Sequence, residues 1–365
     1  MNPRVLFVGR TRYRLPLQPG LARKWDALAE RLDLRVLASG TGSDPRFALV
    51  PPRRLDGPRF YAGLPLRVAR ELRSFRPDAV IAESPYEAIA VQLARRMTRT
   101  PAKLVVDVHG DWHTSTRLYG SSLRRLLSPV ADRLADRAVR SADAQRPVGP
   151  FTASLVRTLG RDPAAVFTAY LDLDAFSGPV EPLPEEPRFL FVGVLERYKN
   201  VETLAAAWRL AAARVPQARL RLVGHGTRVD VAESLVREGA RWNRRLEPAA
   251  VARALDASLA LLLPSASEGL PRIAIEAFLR GRPVLGARAG GIPDIVEDGV
   301  NGLLVPPGDP AALAAAIERL ATEPGLGERL AEGARLSAPR WTTTPEEYAG
   351  RVREVVDAVL DGRAP

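Results

Sequence analysis

The chain has 365 residues, of which 46% are hydrophobic, with no cysteine and a formal net charge of +11. This length favours two domains over one, and the lack of cysteine excludes disulfides, thiolate metal ligands and a thiol nucleophile. No apolar run approaches the roughly 18 residues of a membrane-spanning helix. The apolar core of residues 1–9 is too short for a signal peptide, so we expect a cytoplasmic protein.

The positive charge is carried almost entirely by arginine, because lysine occurs only at positions 24, 103 and 199. Such a charge can serve nucleic acid, an anionic membrane surface or an anionic small substrate, or it can reflect compositional bias without a specific partner. No basic stretch alternates with aromatic residues, and no zinc-finger or basic-zipper spacing occurs, which argues against nucleic acid. Peripheral contact with an anionic membrane stays open.

The first half of the chain alternates short apolar runs with amphipathic stretches. Strands are predicted at residues 4–9, 34–37, 79–82 and 104–108, and helices at about 20–32, 64–75 and 86–98. This alternation indicates an α/β domain with an open, mostly parallel sheet. Because such sheets bind ligands beyond the carboxyl ends of their strands, the loops of interest are 9–20, 83–87 and 109–120.

The first of these loops carries arginines and a tyrosine within residues 9–17. We expect Arg10, Arg12 and Tyr13 to contact an acceptor substrate. The alternative is a solvated loop in an arginine-rich chain.

The loop from Asp107 to His113 holds two of the three histidines. His109 follows an apolar strand and precedes a glycine, which places it at the edge of the sheet where ligands bind. Asp111 is the second group in this loop that could act as a base. The spacing of His109 and His113 could suit a metal ion, but Gly110 and the lack of a third ligand argue against it.

Residues 117–140 have the pattern of a basic amphipathic helix, which Pro129 should kink or break. One interpretation is a helix on a membrane surface. The other, which we favour, is a helix packed on the sheet with solvated arginines. A further strand is predicted within 142–148, followed by a helix from Pro150.

The second half opens with an apolar strand at 188–192, a turn at Gly193 and a helix from about Val201. Lys199 lies just before that helix, where a point charge is well placed to bind a diphosphate. A strand at 219–223 then ends in a glycine-flanked turn that contains His225, and a short strand is predicted within 241–246.

The most informative stretch is 264–276, which follows a buried strand at 259–263. Gly269 allows a tight turn, and Pro271 suits the start of a helix. Glu268 therefore lies in the loop and Glu276 on the helix. Two carboxylates beside the free N–H groups of a helix start suit a phosphate-linked sugar. The carboxylates would accept hydrogen bonds from the sugar hydroxyls, and the N–H groups would bind the phosphates. The alternative is two solvated glutamates, but Glu276 has apolar neighbours, and a carboxylate there needs a partner.

This stretch resembles the Glu-x7-Glu signature of the retaining nucleotide-sugar glycosyltransferases of family 4. Three downstream motifs resemble the same family in order and spacing, at 281–286, 290–294 and 301–305. The resemblance covers residues 185–345 well and the first half loosely. It implies an α/β chain with the GT-B fold, in which two Rossmann-like domains face each other across a cleft.

The resemblance also implies a division of labour between the two halves. Residues 1–178 would form an acceptor-binding domain, with a C-terminal helix within 342–365 crossing back to it. Residues 166–176 resemble the closing strand of that domain, and 178–187 a linker. Residues 186–341 would bind the nucleotide-sugar donor.

Carried over by resemblance, the catalytic residues are Glu268, His109 and Lys199. Glu268 would accept hydroxyls of the donor sugar, and Glu276 those of the nucleotide ribose. The remaining donor and nucleotide contacts implied are Arg197, Gly193, Gly269, Leu270, His225 and Arg245. The family usually has an arginine directly after the glycine of Gly193; Val194 stands there, and Arg197 could replace it. Asp111 would be an acceptor contact in addition to Arg10, Arg12 and Tyr13.

The implied reaction is a retaining transfer of a sugar from a UDP- or GDP-sugar to a hydroxyl of a saccharide, a lipid-linked molecule or a small molecule, in cell-envelope, glycolipid or polysaccharide synthesis. No metal or other cofactor is required, because protein cations and the helix start bind the diphosphate. A covalent route through Glu268 is an alternative, and an inverting enzyme would use His109 or Asp111 as base. A nucleotide-sugar epimerase and a non-catalytic binding protein of the same fold stay open.

Overall fold

The computed structural model describes residues 2–52, 56–114 and 122–364, and of residues 56–58 and 122–128 it describes the backbone alone. The chain divides into two compact units. Within the described residues, the first unit contains 2–52, 56–114, 122–170 and 343–364, and the second contains 171–342.

The first unit is built on a six-stranded sheet in the order β3-β2-β1-β4-β5-β6. All of its neighbouring strands run parallel, as the alternation of strands and helices predicts. The strands are β1 (Arg4–Arg14), β2 (Asp33–Thr41), β3 (Phe47–Val50), β4 (Ala79–Ala82), β5 (Lys103–Val108) and β6 (Ala144–Pro147).

Helices cover both faces of this sheet. They are α1 (Pro19–Arg31), α2 (Asp56–Ser74), α3 (Pro85–Thr98), α4 (Ser122–Arg140) and α5 (Pro150–Thr158). One face carries α2, α3 and α4, whose apolar residues share a buried cluster with one set of alternating strand residues. The other face carries α1, whose Trp25 and Leu28 pack on the opposite set. The alternation of side chains along each strand supplies both faces.

Two predictions for the first half are wrong in detail, and a third is wrong in one of its two alternatives. The first strand does not end at Gly9 but continues to Arg14, because residues 12–14 pair with β2 beyond an irregularity in register. Residues 166–170 form no strand. Of the kink or break expected at Pro129, the break does not occur, because the basic helix continues through this residue; the predicted residues 117–121 lie outside the described chain.

The second unit repeats the architecture with a six-stranded parallel sheet in the order β12-β11-β10-β7-β8-β9. Its strands are β7 (Arg188–Val192), β8 (Arg219–Val223), β9 (Arg241–Asn243), β10 (Ala260–Leu263), β11 (Val284–Ala287) and β12 (Gly302–Val305). Its helices are α6 (Val201–Arg214), α7 (Val229–Arg237), α8 (Pro248–Asp256), α9 (Arg272–Leu279), α10 (Ile292–Ile295), α11 (Pro310–Thr322) and α12 (Leu326–Ser337).

The chain ends in α13 (Pro345–Leu360), which belongs to the first unit. Thr344 and Glu347 form a capping box at its start, which satisfies N–H groups that a helix start leaves free. Its buried stripe includes Tyr348 and Val352 and packs in the cluster that contains Trp25 of α1.

Residues 172–176, predicted to help close the first domain, and residues 178–187, predicted to be a linker, belong to the second unit. Residues 174–176 form a single 3-10 turn. Buried Arg280 donates to the carbonyls of Gly178 (2.9 Å) and Pro179 (2.6 Å). Buried Arg282 donates to the carbonyl of Pro182 at 2.9 Å. These charge-assisted bonds replace water around both guanidinium groups.

Across 2–52, 56–114 and 122–364, no helix combines the length and the apolar character needed to cross a bilayer.

Candidate functional site

In the second unit, the glycine pair 290–291 packs against the backbone of the loop between β10 and α9. The Gly291 N–H donates to the Glu268 carbonyl at 2.8 Å. A β-carbon at Gly291 would lie 2.0 Å from the carbonyl oxygen of Gly269, and one at Gly290 2.6 Å from that of Glu268. Only glycine at these two positions lets the backbones come so close, which explains a motif that the sequence offered without a role.

A second loop, the 3-10 turn Arg197–Lys199 after β7, is bound to the same segment. The Ala266 N–H donates to the Tyr198 carbonyl at 2.7 Å. The Asn200 side chain donates to the Pro264 carbonyl at 3.1 Å. Asn200 itself adopts φ of 50°, a left-handed conformation that asparagine tolerates. These bonds place Lys199 next to the loop that carries Glu268.

Lys199 and Glu268 form a nearly buried ion pair between Nζ and Oε1. Their side chains are 10% and 12% exposed. The stem of the lysine passes close to Gly193, where a β-carbon would lie 3.4 Å from Phe191 Cζ and 3.5 Å from Lys199 Cε. Two residues expected to bind separate parts of a ligand are therefore partners of each other.

Glu276 is buried one and a half turns into α9, with 7% of its surface exposed. Burial raises the pKa of its carboxyl, and the opposing attraction of Arg272 does not cancel this effect. Arg272 lies one turn earlier, with its Nε 2.5 Å from Glu276 Oε1, and it also donates to the carbonyl of Asp172 at 3.0 Å. The prediction that a carboxylate in this apolar setting needs a partner is confirmed.

The loops after β7 and β8 interlock through a second set of close approaches. A β-carbon at Gly224 would lie 1.8 Å from the Gly193 carbonyl oxygen, and one at Gly226 2.3 Å from that of Leu195. The Leu195 N–H donates to the carbonyl of His225 at 3.2 Å. The imidazole of His225 is exposed at the tip of this turn.

The other predicted donor contacts differ in exposure. Gly269 and Leu270 are half-buried in the β10–α9 loop, and Arg197 is exposed on the turn that carries Lys199. The short strand predicted within 241–246 is β9, which ends at Asn243, so Arg245 lies beyond it. Its side chain is largely in solvent, 3.5 Å from Glu247. The contacts of Arg245 are thus those of a surface residue.

In the first unit, His109 is exposed directly after β5, with Nε2 3.7 Å from Asp107 Oδ2. Asp107 is buried and forms a two-point ion pair with buried Arg146, whose Nε lies 2.7 Å from Oδ1. Burial alone would raise the pKa of Asp107, but Arg146 and His109 outweigh it and hold this pKa well below its usual range. Arg146 also donates to the Phe167 carbonyl at 3.3 Å.

The predicted acceptor residue Asp111 has a local structural role. It accepts the His113 N–H at 2.9 Å and the Thr114 hydroxyl, as a cap of the helical residues 112–114 does. The His113 ring nitrogen Nε2 lies 2.7 Å from Asp136. Within the described residues no group of His, Asp and Glu side chains could hold a metal ion, and this includes His109 and His113.

Of the three acceptor contacts predicted in the first loop, Tyr13 is wrong. Because the strand continues to Arg14, Tyr13 points inward and packs against Trp25 and Phe47, with 3% of its surface exposed. Burial raises the pKa of its hydroxyl above the usual range. Arg10 and Arg12 are exposed, and Arg10 lies 5.9 Å from the centre of the Tyr61 ring.

Two glutamates that no sequence motif identifies lie in the predicted loop 83–87, of which the structure places Glu87 on α3. The side chain of Glu83 lies over Gly9, where a β-carbon would be 1.8 Å from its carboxylate, and accepts the Thr11 hydroxyl at 2.8 Å. Glu87 is buried and accepts the Tyr61 hydroxyl at 2.9 Å; burial raises its pKa. A glutamate directly after an apolar strand was the available signal for Glu83.

Comparison with known families decides what these two units are. Residues 186–323 match the family described as "Glycosyl transferases group 1". Residues 17–171 match the family described as "Glycosyl transferase 4-like domain". The chain belongs to the group 1 glycosyl transferases. Within this glycosyl transferase, Lys199, Glu268 and Glu276 fall in the first match and His109 in the second.

Named relatives agree with this assignment. The chain is 31% identical to a D-inositol 3-phosphate glycosyltransferase of Thermobifida fusca over 67% of its own length and 63% of the relative's. It is 32% identical to the sulfoquinovosyl transferase SQD2 of Arabidopsis thaliana over 34% of its length and 25% of the relative's. The glycosyl transferase thus spans less than two-thirds of each of these relatives.

Two solved structures share the GT-B fold with nearly the whole chain. A sucrose-phosphate synthase from Thermosynechococcus elongatus superposes with a TM-score of 0.78 and 19% identity, over 99% of this chain and 100% of that one. Anabaena Alr3699/HepE in complex with UDP and glucose superposes with a TM-score of 0.70 and 18% identity, over 98% and 100%. The predicted fold class, with two parallel-sheet α/β units, is confirmed.

Proposed function

We propose that this glycosyl transferase moves a sugar from a nucleotide-diphosphate sugar to a hydroxyl acceptor with retention of the anomeric configuration. The observation that carries the proposal is the buried Lys199–Glu268 pair, built by two loops at the carboxyl ends of β7 and β10. Ligands of parallel α/β sheets bind at that edge. A cation and a carboxylate held together there match a ligand that carries both phosphates and hydroxyls.

Donor binding would divide this pair between two parts of one ligand. Lys199 would bind the diphosphate, and Glu268 would accept hydroxyls of the sugar. The pair keeps both side chains in position before the donor arrives, so little ordering remains for the donor to impose. As the bond between the sugar and the phosphate breaks, negative charge grows on the leaving diphosphate. A fixed cation stabilises that charge by a few kcal/mol.

Glu276 supports binding of the nucleotide. It is buried, its carboxyl has a raised pKa, and its one strong partner is the half-exposed Arg272. Ribose hydroxyls would give this carboxylate the hydrogen bonds that burial denies it. The N–H groups at the start of α9 lie in the same segment and favour an anion.

The reaction then needs no metal ion, since Lys199 and the start of α9 supply positive charge. In the proposed step, the bond from the sugar C1 to the phosphate oxygen breaks and the acceptor oxygen bonds to C1 on the same face. The departing phosphate oxygen takes the proton of the acceptor hydroxyl. The role of His109 stays a prediction from family resemblance, and Asp107 would hold its imidazole in place.

UDP-sugars are the first donors to test, because related structures of this fold contain UDP and UDP-glucose. A thermal-shift panel of UDP-, GDP-, ADP- and dTDP-sugars identifies the donor, since a ligand of the folded state raises the melting temperature. Product NMR with the identified donor then tests retention. A product of inverted configuration would contradict the proposed step.

The residue assignment is tested with Glu276→Gln, which keeps the shape of the side chain and removes its charge. We expect donor affinity to fall at least tenfold, about 1.4 kcal/mol. Glu233→Gln, on the exposed side of α7, is the matched control and should bind donor as the parent does. Unchanged affinity in Glu276→Gln would remove the nucleotide assignment.

A further inference from the structure

The first unit presents an unusual outer surface on α2, α3 and α4. These helices cover one face of the sheet and share one buried cluster. They also pack side by side: the Tyr61 hydroxyl of α2 donates to Glu87 of α3, and Gln92 of α3 donates to the Ala138 carbonyl of α4. Their outward sides therefore form one continuous surface, here named the basic helical face.

Large apolar side chains are exposed on every helix of this face. Leu66, Leu93, Met97, Val130 and Leu134 are between 44% and 66% exposed. The pairs on α3 and α4 are each four residues apart, so each pair lies on one side of its helix. Exposed apolar residues of the second unit are scattered instead: α6, α7 and α12 carry one each, and Val180, Val194 and Val300 lie outside its helices and strands. A concentration on one layer indicates an interaction surface rather than ordinary surface composition.

The charges on this face have one sign. The exposed charged side chains that the structure describes on the three helices are Arg59, Arg70, Arg73, Arg96, Arg133, Arg137 and Arg140. The acidic side chains described there turn inward. Glu71, Glu87 and Asp132 are buried, and Asp136 accepts the Trp112 indole N–H at 2.9 Å.

We propose that the basic helical face docks onto an anionic lipid bilayer. Arginines beside aliphatic side chains match a surface that offers negative headgroups above a hydrocarbon layer. A second copy of the chain would place arginines against arginines, which repel. The exposed apolar residues are aliphatic, whereas single-stranded nucleic acid is bound by exposed aromatic rings. The packing of α4 on the sheet is confirmed by Ala135 and Val139 in the buried cluster, and its outer side remains available for lipid.

This inference is independent of the proposed sugar transfer, because it concerns binding and uses a different surface. It would bring the enzyme to lipid-linked acceptors, one of the acceptor classes that the sequence left open. The test is co-sedimentation of the full chain with vesicles of phosphatidylcholine and phosphatidylglycerol in equal parts, against vesicles of phosphatidylcholine alone. Binding to the mixed vesicles that weakens with added salt is the expected result. No binding to the mixed vesicles would overturn the proposal.

The surface is located by two variants of equal net charge. Arg133→Gln with Arg137→Gln removes two charges from the basic helical face. Arg253→Gln with Arg329→Gln removes two exposed charges from the second unit. Each arginine near an anionic surface strengthens binding about fivefold, so the first variant should bind roughly 25-fold more weakly and the control less than about twofold. Equal losses would mean attraction by net charge alone and would overturn the proposal.

Insertion of the aliphatic side chains is tested by site-specific labelling, which the absence of cysteine makes simple. Leu134→Cys and the control Leu336→Cys on α12 are both exposed positions, so neither change disturbs a core. An environment-sensitive dye at position 134 should shift to the blue on the mixed vesicles, and a dye at 336 should not. Bilayer docking would be contradicted if the dye at 134 stayed unshifted on a vesicle-bound chain, or if the chain bound an acidic protein partner and no vesicles.

Discussion

Breaking the Lys199–Glu268 pair tests both the structure and the function built on it. Lys199→Met removes the cation and leaves the Glu268 carboxylate nearly buried without its partner. Loss of one member of a buried ion pair costs about 3–5 kcal/mol of folding free energy. For a unit of this size, each kcal/mol lowers the melting temperature by roughly 2–4 °C, so a fall of roughly 6–20 °C is expected.

The double variant Lys199→Met with Glu268→Leu separates a lost charge partner from lost packing. Replacing both charges by apolar residues of similar volume is usually neutral or stabilising. We therefore expect the double variant to recover most of the stability that Lys199→Met loses. Denaturant unfolding, followed by tryptophan fluorescence and far-UV circular dichroism, measures the coupling free energy between the two positions.

Donor binding decides what the pair is for. The double variant should be folded and stable but should not respond to the UDP-sugar that stabilises the parent chain. If Lys199→Met costs less than about 1 kcal/mol, the two charges are solvated in solution and the argument from burial fails. If the double variant binds donor as the parent does, the pair is structural and the proposed site is wrong.

Three further changes have defined outcomes. Because the pKa of Glu276 is raised in the fold, its ionised form destabilises the chain above that pKa when no donor is added. Glu276→Gln should therefore be more stable than the parent at pH 7. The unfolding curves of the two proteins should converge as the pH falls below the raised pKa. Gly291→Ala places a β-carbon 2.0 Å from the Gly269 carbonyl oxygen and should lower the folding free energy by about 1–3 kcal/mol, measured by denaturant unfolding. It should also weaken donor binding, measured by thermal shift. Because the pKa of Asp107 is lowered in the fold, its ionised carboxylate stabilises the protein at neutral pH, and this stabilisation is lost as acid protonates the carboxylate. Asp107→Asn should therefore cost about 3–5 kcal/mol of folding free energy at pH 7, because it leaves Arg146 buried without its partner, and progressively less in acid.

Matched controls keep these outcomes specific. Gly350→Ala on α13 meets no atom within 4 Å and should stabilise the chain by about 1 kcal/mol, since alanine favours a helix over glycine. A Gly291→Ala variant that behaves in the same way would show that the β10–α9 loop does not depend on the close approach. If the folding free energies of the parent chain and of Asp107→Asn changed equally with pH, the buried pair of Asp107 and Arg146 would not be the source of that pH dependence.

Much of the architecture could be predicted because its signals are local. Apolar runs of four or five residues that alternate with amphipathic stretches identify parallel α/β units, and the helices that begin at Pro85, Val201 and Pro345 were found close to their observed starts. The errors arose where pairing overrode local pattern. Polar residues 9–14 suggest a loop, yet hydrogen bonds to β2 continue the strand and turn Tyr13 into the core.

The sequence by itself determined that two carboxylates flank a helix start and that a single lysine precedes another, because strand, turn and helix preferences act over a few residues. Only the tertiary structure decided that Lys199 reaches Glu268 across 69 positions of the chain and that Arg280 binds residues 178–179. The partner and burial of a charged side chain depend on segments distant in sequence. Those distances are settled when the sheets assemble, and no local pattern records them.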